Sequence, residues 1–338
     1  MDKKIIFDKK NVIVAGGAGF IGSHLCDELV KEAKVICIDN FSTGSEKNID
    51  HLLSNSNFTF LNHDLSEPID LEKMNSLKRF KINFQGIQEI YNLACPMSPD
   101  NFVKNKLDII NANSLAVKNL LDLAVKYKSK FMQFSSSVVY GFKRKELRDY
   151  QVNETDMGQV STTSQRACYD EGKRFAETLV YTYREQKHID AKIIRLFRTF
   201  GPRMTLGDGQ MIPDMVANAL EGKDVEINGD ENFSSSLCYI SDAIDGALKF
   251  MESELAGPFN IGSDVDVNIT DLAKKIIEAT ESKSKIVYKS SKIFMTPLLT
   301  PDIHKARNEL GWMPITTLNN GIKKTIFDLQ ARKRLRKM

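Results

Sequence analysis

Tyr169 and Lys173 stand four residues apart in Arg166-Ala167-Cys168-Tyr169-Asp170-Glu171-Gly172-Lys173, so at the start of a helix they share one face. There the ammonium can lower the phenol's pKa electrostatically while also hydrogen-bonding a cofactor ribose. A phenolate poised near neutral pH can take a hydroxyl proton as hydride leaves the same carbon. The third partner should be a hydroxyl donor at a strand end. Phe134-Ser135-Ser136-Ser137-Val138-Val139-Tyr140-Gly141 supplies one, with Ser136 the candidate. A tyrosine and a lysine at this spacing are common by chance, so the pair gains its meaning from what accompanies it.

The main companion lies near the N-terminus, where Asn11-Val12-Ile13-Val14-Ala15 runs into Gly16-Gly17-Ala18-Gly19-Phe20-Ile21-Gly22 and then the helical pattern Ile21, Leu25, Leu29. Strand, glycine turn and helix in that order suit a pyrophosphate. Gly16, Gly19 and Gly22 allow a tight turn, close approach to phosphate and close helix packing, and the first-turn N–H groups, from Phe20 and Ile21 onward, face the anion. A second strand, Lys34 to Ile38, ends in Asp39, which lies 23 residues beyond Gly16, near the ~20-residue offset of a carboxylate that bonds an adenosine ribose. Asn40-Phe41-Ser42-Thr43-Gly44 offers no cation for a 2′-phosphate, so NAD is expected over NADP. An ordinary glycine-rich turn is the competing reading.

The remainder of the chain is consistent with an enzyme of this kind. Its 338 residues exceed one average domain. A net charge of +3 is too mild for a nucleic-acid partner, and the basic run Arg332-Lys333-Arg334-Leu335-Arg336-Lys337 reads as a solvated helix end. No segment has the length of a membrane span and Met1-Asp2-Lys3-Lys4 leads straight into a strand, so a cytoplasmic protein without a membrane partner is expected. Five cysteines, odd in number and without ligand spacing, speak against disulfides and zinc, and no metal site is expected.

Strands at 58–62, 89–93, 130–135 and 192–196 alternate with helical stretches at 107–127 and 170–186, which predicts an α/β fold with a doubly wound parallel sheet of the Rossmann kind. After Gly201-Pro202 the elements shorten. Residues 1–200 are read as the dinucleotide domain and 201–338 as mainly a smaller C-terminal substrate domain, with a strand near 257–261 able to return to the main sheet.

On these and further motifs the chain resembles the extended short-chain dehydrogenases/reductases that act on nucleotide sugars, most closely the UDP-glucuronate decarboxylase branch. The motifs are Asp39-Asn40-Phe41-x-Thr43-Gly44, His63-Asp64-Leu65-Ser66-Glu67-Pro68, Tyr91-Asn92-Leu93-Ala94-Cys95-Pro96, Arg166-x-Cys168-Tyr169-Asp170-Glu171-Gly172-Lys173-Arg174 and Gly201-Pro202-Arg203-Met204. The resemblance implies that Asp64 and Leu65 flank the adenine, that Asn40, Asn92, Leu93, Ala94 and Asn113 line the dinucleotide, and that Ser136, Tyr169 and Lys173 form the catalytic set. For Asn113 a helix-surface amide is the alternative. It also implies a nucleotide-sugar substrate and a homodimer, with the apolar faces of 107–127 and 175–183 as candidate contacts or as core. Pro96, Arg166 and Arg203 within the shared motifs and Ser137 beside Ser136 are the candidate substrate contacts, and Arg198 is a candidate from outside the family pattern.

The departures narrow the outcome. Decarboxylases of the branch carry a glutamate before Val-Tyr-Gly and dehydratases an Asp-Glu pair, where this chain has Ser137-Val138. Decarboxylases carry arginines just before Pro-Asp-Ile, where this chain reads Leu298-Leu299-Thr300; an arginine would match a sugar carboxylate with two parallel hydrogen bonds. Both changes touch the second half-reaction and leave oxidation at C4 intact. The expectation is an NAD-dependent enzyme that makes a 4-keto sugar, as a dehydrogenase or ketoreductase or as a 4-epimerase. Decarboxylase, 4,6-dehydratase and non-catalytic NAD-binding protein are the alternatives. At the nucleotide end, Arg198 replaces the usual asparagine and Ser235 the usual arginine. Arg198 is expected to replace the lost diphosphate contact or to sit in a structural ion pair, and the base is open among UDP, GDP, CDP and dTDP.

Overall fold

A run of apolar residues long enough for one strand, and apolar on both faces, belongs in the middle of a covered parallel sheet. Asn11–Ala15 (β1) and Lys34–Asp39 (β2) are such runs, buried almost throughout. In the computed structural model, which describes residues 9–98, 101–142, 150–207, 209–290 and 299–335, they pair in parallel, Val12 opposite Val35 and Ala15 opposite Ile38. Phe58–Asn62 (β3), Glu89–Asn92 (β4), Lys130–Ser136 (β5), Ala191–Leu196 (β6) and Pro258–Ile261 (β7) complete a seven-stranded sheet in the order β7-β6-β5-β4-β1-β2-β3. β2 with β3, β1 with β4 and β4 with β5 are likewise parallel. The order reverses between β1 and β4, the switch point outside which ligands of doubly wound sheets bind.

Phe20–Glu32 (α1) follows β1 directly. The helical stretch expected over 107–127 is two helices, Lys106–Asn113 (α2) and Leu115–Tyr127 (α3), parted at Ser114, whose φ of −123° and ψ of −77° leave the helical region. Ala167–Lys187 (α4) carries the tyrosine and lysine in its first two turns.

The chain forms two compact units, residues 1–96, 110–134 and 175–193 in one, 97–109, 135–174 and 194–338 in the other. The first is organised on an apolar core that includes Ile13, Ile36, Ile90, Leu120 and Phe131. In the second, Trp312 is wholly buried and donates its indole N–H to the carbonyl of Asp242 at 2.9 Å. All five cysteines are free thiols. Among the described residues no helix is long and apolar enough to cross a membrane, and no cluster of side chains could hold a metal ion.

Candidate active site

The turn between β1 and α1 is shaped by backbone contacts that only glycine permits. Gly16 adopts φ +75°, and a Cβ there would lie 2.8 Å from the backbone nitrogen of Ala94. A Cβ at Gly22 would lie 2.2 Å from the carbonyl oxygen of Gly16. The Gly19 N–H donates to that same carbonyl at 3.2 Å. Gly19 caps α1 without a side chain, and the first turn, with Phe20, Ile21 and Gly22, contains no acidic residue. The free N–H groups and the positive end of the helix dipole are therefore left to an anion.

Asp39, 8% exposed at the end of β2, accepts the Ala18 N–H at 3.0 Å on one carboxylate oxygen and the Phe41 N–H at 2.8 Å on the other. Burial raises its pKa, and the two backbone donors partly offset that. Each oxygen retains a further acceptor site for a ribose hydroxyl. Asn40 donates to Asp64 at 3.1 Å, and Asp64 also accepts from the Ser66 hydroxyl at 2.7 Å, the bond that does most to lower its pKa. Leu65 sends its side chain into the core, and its carbonyl accepts from Asn119 at 2.9 Å. Past β4, Ala94 donates its N–H to Asn92 at 3.1 Å and Asn92 donates to Gln133 at 2.8 Å, which fixes the backbone of Leu93 and Ala94. Asn113 is 1% exposed and reaches Cys95 Sγ at 3.3 Å, so it is no surface amide.

In the second unit, Ser136 ends β5 and its hydroxyl accepts the Val138 N–H at 3.4 Å, an acceptor role that leaves its own O–H to donate elsewhere. Ser137 and Val138 are buried in the short turn that follows. Tyr169 is 2% exposed; its ring stacks on Phe102 at 5.1 Å and Lys173 Nζ lies 5.9 Å from the ring centroid. The phenol hydroxyl donates to Met97 Sδ at 2.8 Å. Arg166 pairs with Asp170 at 2.9 Å and lies over the rings of Phe102 and Phe142. Burial raises the pKa of Asp170, with Arg166 opposing.

Met97, Phe102 and Phe142 were not legible as site residues. They are apolar side chains outside every motif, and only folding brings them to Tyr169 and Arg166.

Arg198 Nη1 lies 3.9 Å from Met211 Sδ, and no carboxylate pairs with Arg198 among the described residues. Its pKa is lowered to about 10, first by burial and second by the neighbouring Arg166 guanidinium. Ser235 is 1% exposed and its hydroxyl bonds the carbonyl of Ser236 at 3.4 Å. Arg203 adopts φ +68° and donates its backbone N–H to Asp328 at 3.1 Å. Pro96 is buried. Leu299 packs with Val139, Tyr140, Val152 and Phe197, beside the ladder that joins Thr300-Pro301 to Gln151-Val152; Leu298 lies outside the described residues.

The model of the NAD dependent epimerase/dehydratase family matches residues 12–262. The chain belongs to that family. UDP-glucuronic acid decarboxylase 1 of Xenopus tropicalis is 34% identical over 320 residues, which is 94% of this chain and 72% of the relative. Two solved structures superimpose along almost their whole length. UDP-glucose 4-epimerase of Thermotoga maritima, with UDP-glucose, has a TM-score of 0.82 at 26% identity and covers 96% of this chain and 99% of its own. UDP-glucuronic acid 4-epimerase of Bacillus cereus, with UDP-glucuronic acid and NAD, has a TM-score of 0.82 at 26% identity over 95% and 99%. The cofactor of this NAD-dependent enzyme is NAD, and the glycine cradle, the open N-terminus of α1 and Asp39 fit it.

Proposed function

We propose that the protein oxidises the C4 hydroxyl of a nucleotide sugar to a 4-keto sugar and keeps the sugar's carbon skeleton intact, the ketone being released or re-reduced with C4 inverted. NAD supplies the hydride acceptor. Tyr169 takes the hydroxyl proton as C4–H leaves with its electron pair and C4=O forms. The Lys173 ammonium stabilises the phenolate and holds the cofactor ribose, and Ser136 donates a hydrogen bond to the C4 oxygen. Gly16, Gly19 and Gly22 with the N-terminus of α1 receive the pyrophosphate, Asp39 the adenosine ribose.

The observation that carries the outcome is the burial of Val138 and Leu299, 4% and 5% exposed, with Leu299 in an apolar cluster. These are positions where a decarboxylase would place a carboxylate and a guanidinium. A sugar carboxylate brought there would lose its hydration without a partner. Arg198 supports a diphosphate-bearing substrate, because a half-buried guanidinium with no carboxylate partner among the described residues suits an incoming anion. The relatives named above act on UDP-linked compounds by their names, and we extend that substrate class to this chain at the level of a nucleotide sugar.

Purified enzyme incubated with UDP, GDP, CDP and dTDP sugars, with and without added NAD, and analysed by mass spectrometry and NMR, tests the proposal. The expected product has lost two hydrogens or has unchanged mass with inverted C4. Efficient release of carbon dioxide from UDP-glucuronate would overturn it. A homodimer is part of the same reading, supported by the exposed apolar side chains Phe175 and Tyr181 on α4 and Leu115 on α3. Sedimentation of Phe175→Glu as a lighter species than wild type is the expected check.

A further inference from the structure

A proton acceptor must meet its substrate hydroxyl at about 2.6–3.2 Å. At Tyr169 that approach is contested, because the phenol oxygen already lies 2.8 Å from the thioether sulfur of Met97. A thioether accepts hydrogen bonds and has none to give. The contact therefore exists only while Tyr169 holds its proton; a phenolate would leave two electron-rich atoms facing each other at that distance. Capped tyrosine and active base exclude one another.

The two partners differ in freedom. Tyr169 is 2% exposed and its ring is held against Phe102, itself 4% exposed. Among the described residues the charged groups about it include Lys173 on its own helix and, across the Phe102 ring, Arg166 with its partner Asp170. Met97 is 45% exposed, on an unbranched side chain with three rotatable bonds. When the contact breaks, the thioether is the group that moves.

We propose that Met97 is a displaceable cap on Tyr169, a positioning residue that keeps the phenol protonated until a sugar hydroxyl takes the thioether's place. The proposal rests on the reading of Tyr169 as the proton acceptor. It assigns Met97 a role in entry to the reaction and none in the hydride step itself.

Met97→Leu keeps the volume and removes the acceptor. With a nucleotide sugar that wild type turns over and saturating NAD, kcat/KM should rise roughly two- to tenfold, the equilibrium weight of one net hydrogen bond, with kcat unchanged. The rising limb of the kcat/KM pH profile, which reports the free enzyme, should move to lower pH while that of kcat stays in place. Unchanged kcat/KM, or kcat falling with it, would overturn the cap.

A measurement without substrate is available in methyl-13C-methionine NMR of the NAD-loaded protein, in which the resonance missing from Met97→Leu identifies Met97. That resonance should titrate with pH in wild type and stay flat in Tyr169→Phe; a flat response in both overturns the proposal. Turnover of Tyr169→Phe at the wild-type rate would instead remove the underlying reading of the base. Loss of turnover in Tyr169→Phe with Met97→Leu indistinguishable from wild type removes the cap alone.

Discussion

The glycine turn after β1 and the surroundings of Tyr169 are constrained in different ways. At the turn the determinants are backbone atoms: the carbonyl of Gly16 would meet a Cβ at Gly22, and the backbone of Ala94 would meet one at Gly16. Around Tyr169 the determinants are side chains drawn from separate parts of the chain, Met97 and Phe102 among them. The first kind of site leaves no room for a side chain at Gly16 or Gly22. The second is set by side chains, each of which can change without disturbing the backbone, so on the proposed mechanism one tyrosine and lysine could serve different fates of a keto sugar.

Two substitutions separate the regions, and the largest effect belongs to the second. On the proposed mechanism, Tyr169→Phe removes the proton acceptor and keeps the ring on Phe102. Turnover should fall about 10²- to 10⁴-fold, with NAD affinity in a direct titration little changed. Loss of NAD binding together with activity would show that the two regions are not separable. Gly22→Ala attacks the other region: its methyl group would sit 2.2 Å from backbone, where nothing flexible can yield. Overpacking of this kind costs about 3 kcal/mol, so NAD affinity should fall on the order of 100-fold. A variant that binds NAD normally would refute the steric account of the cradle.

The same contrast explains what could be read from the sequence. The strands, the glycine turn, Asp39 and the Tyr169–Lys173 spacing are local patterns, each fixed by hydrophobic periodicity or by a backbone requirement. The break at Ser114 was hidden because the apolar period runs on through it. Met97 and Phe102 were hidden because a methionine and a phenylalanine carry no chemical signature until packing sets them beside a phenol. Asn113 was undecided between a cofactor contact and a surface amide, and its burial against Cys95 excludes the surface. Arg198 was undecided between phosphate and ion pair, and the lack of a carboxylate partner among the described residues bears on that choice.

A smaller effect is expected at Asp39. Its negative charge should disfavour a 2′-phosphate, giving NAD at least a tenfold preference over NADP, the size of one modest charge effect of about 1.4 kcal/mol. Burial raises the pKa of this carboxyl, so it takes up a proton at higher pH than an ordinary aspartate. The preference is then present at pH 8 and erodes as pH falls, earlier than a solvated carboxylate would allow. Titrations of both cofactors at pH 8 and pH 5 check it, and a ratio independent of pH would mean that something other than the Asp39 charge discriminates.

The smallest effect, and the one that tests how far the substrate region has been refitted, concerns Arg198. Its pKa is lowered to about 10, so the folded protein holds this proton less tightly than the unfolded chain does. By linkage, stability rises with pH only between about 10 and the ordinary arginine value. At every pH below that window the charged side chain is a cost of folding, caused mainly by lost hydration and next by Arg166. Arg198→Asn removes the charge, so the ligand-free protein should melt a degree or two higher, on the order of 0.5 kcal/mol for a chain of this size. The same change removes a cation that suits a diphosphate, so affinity for UDP should fall roughly tenfold, the loss of one charge-assisted hydrogen bond. Calorimetry of the ligand-free variant and titration with UDP read the two effects separately. Opposite signs are the mark of a residue kept for its ligand at the expense of the fold. A lower melting temperature with unchanged UDP affinity would instead make Arg198 a structural residue and leave the diphosphate to other groups.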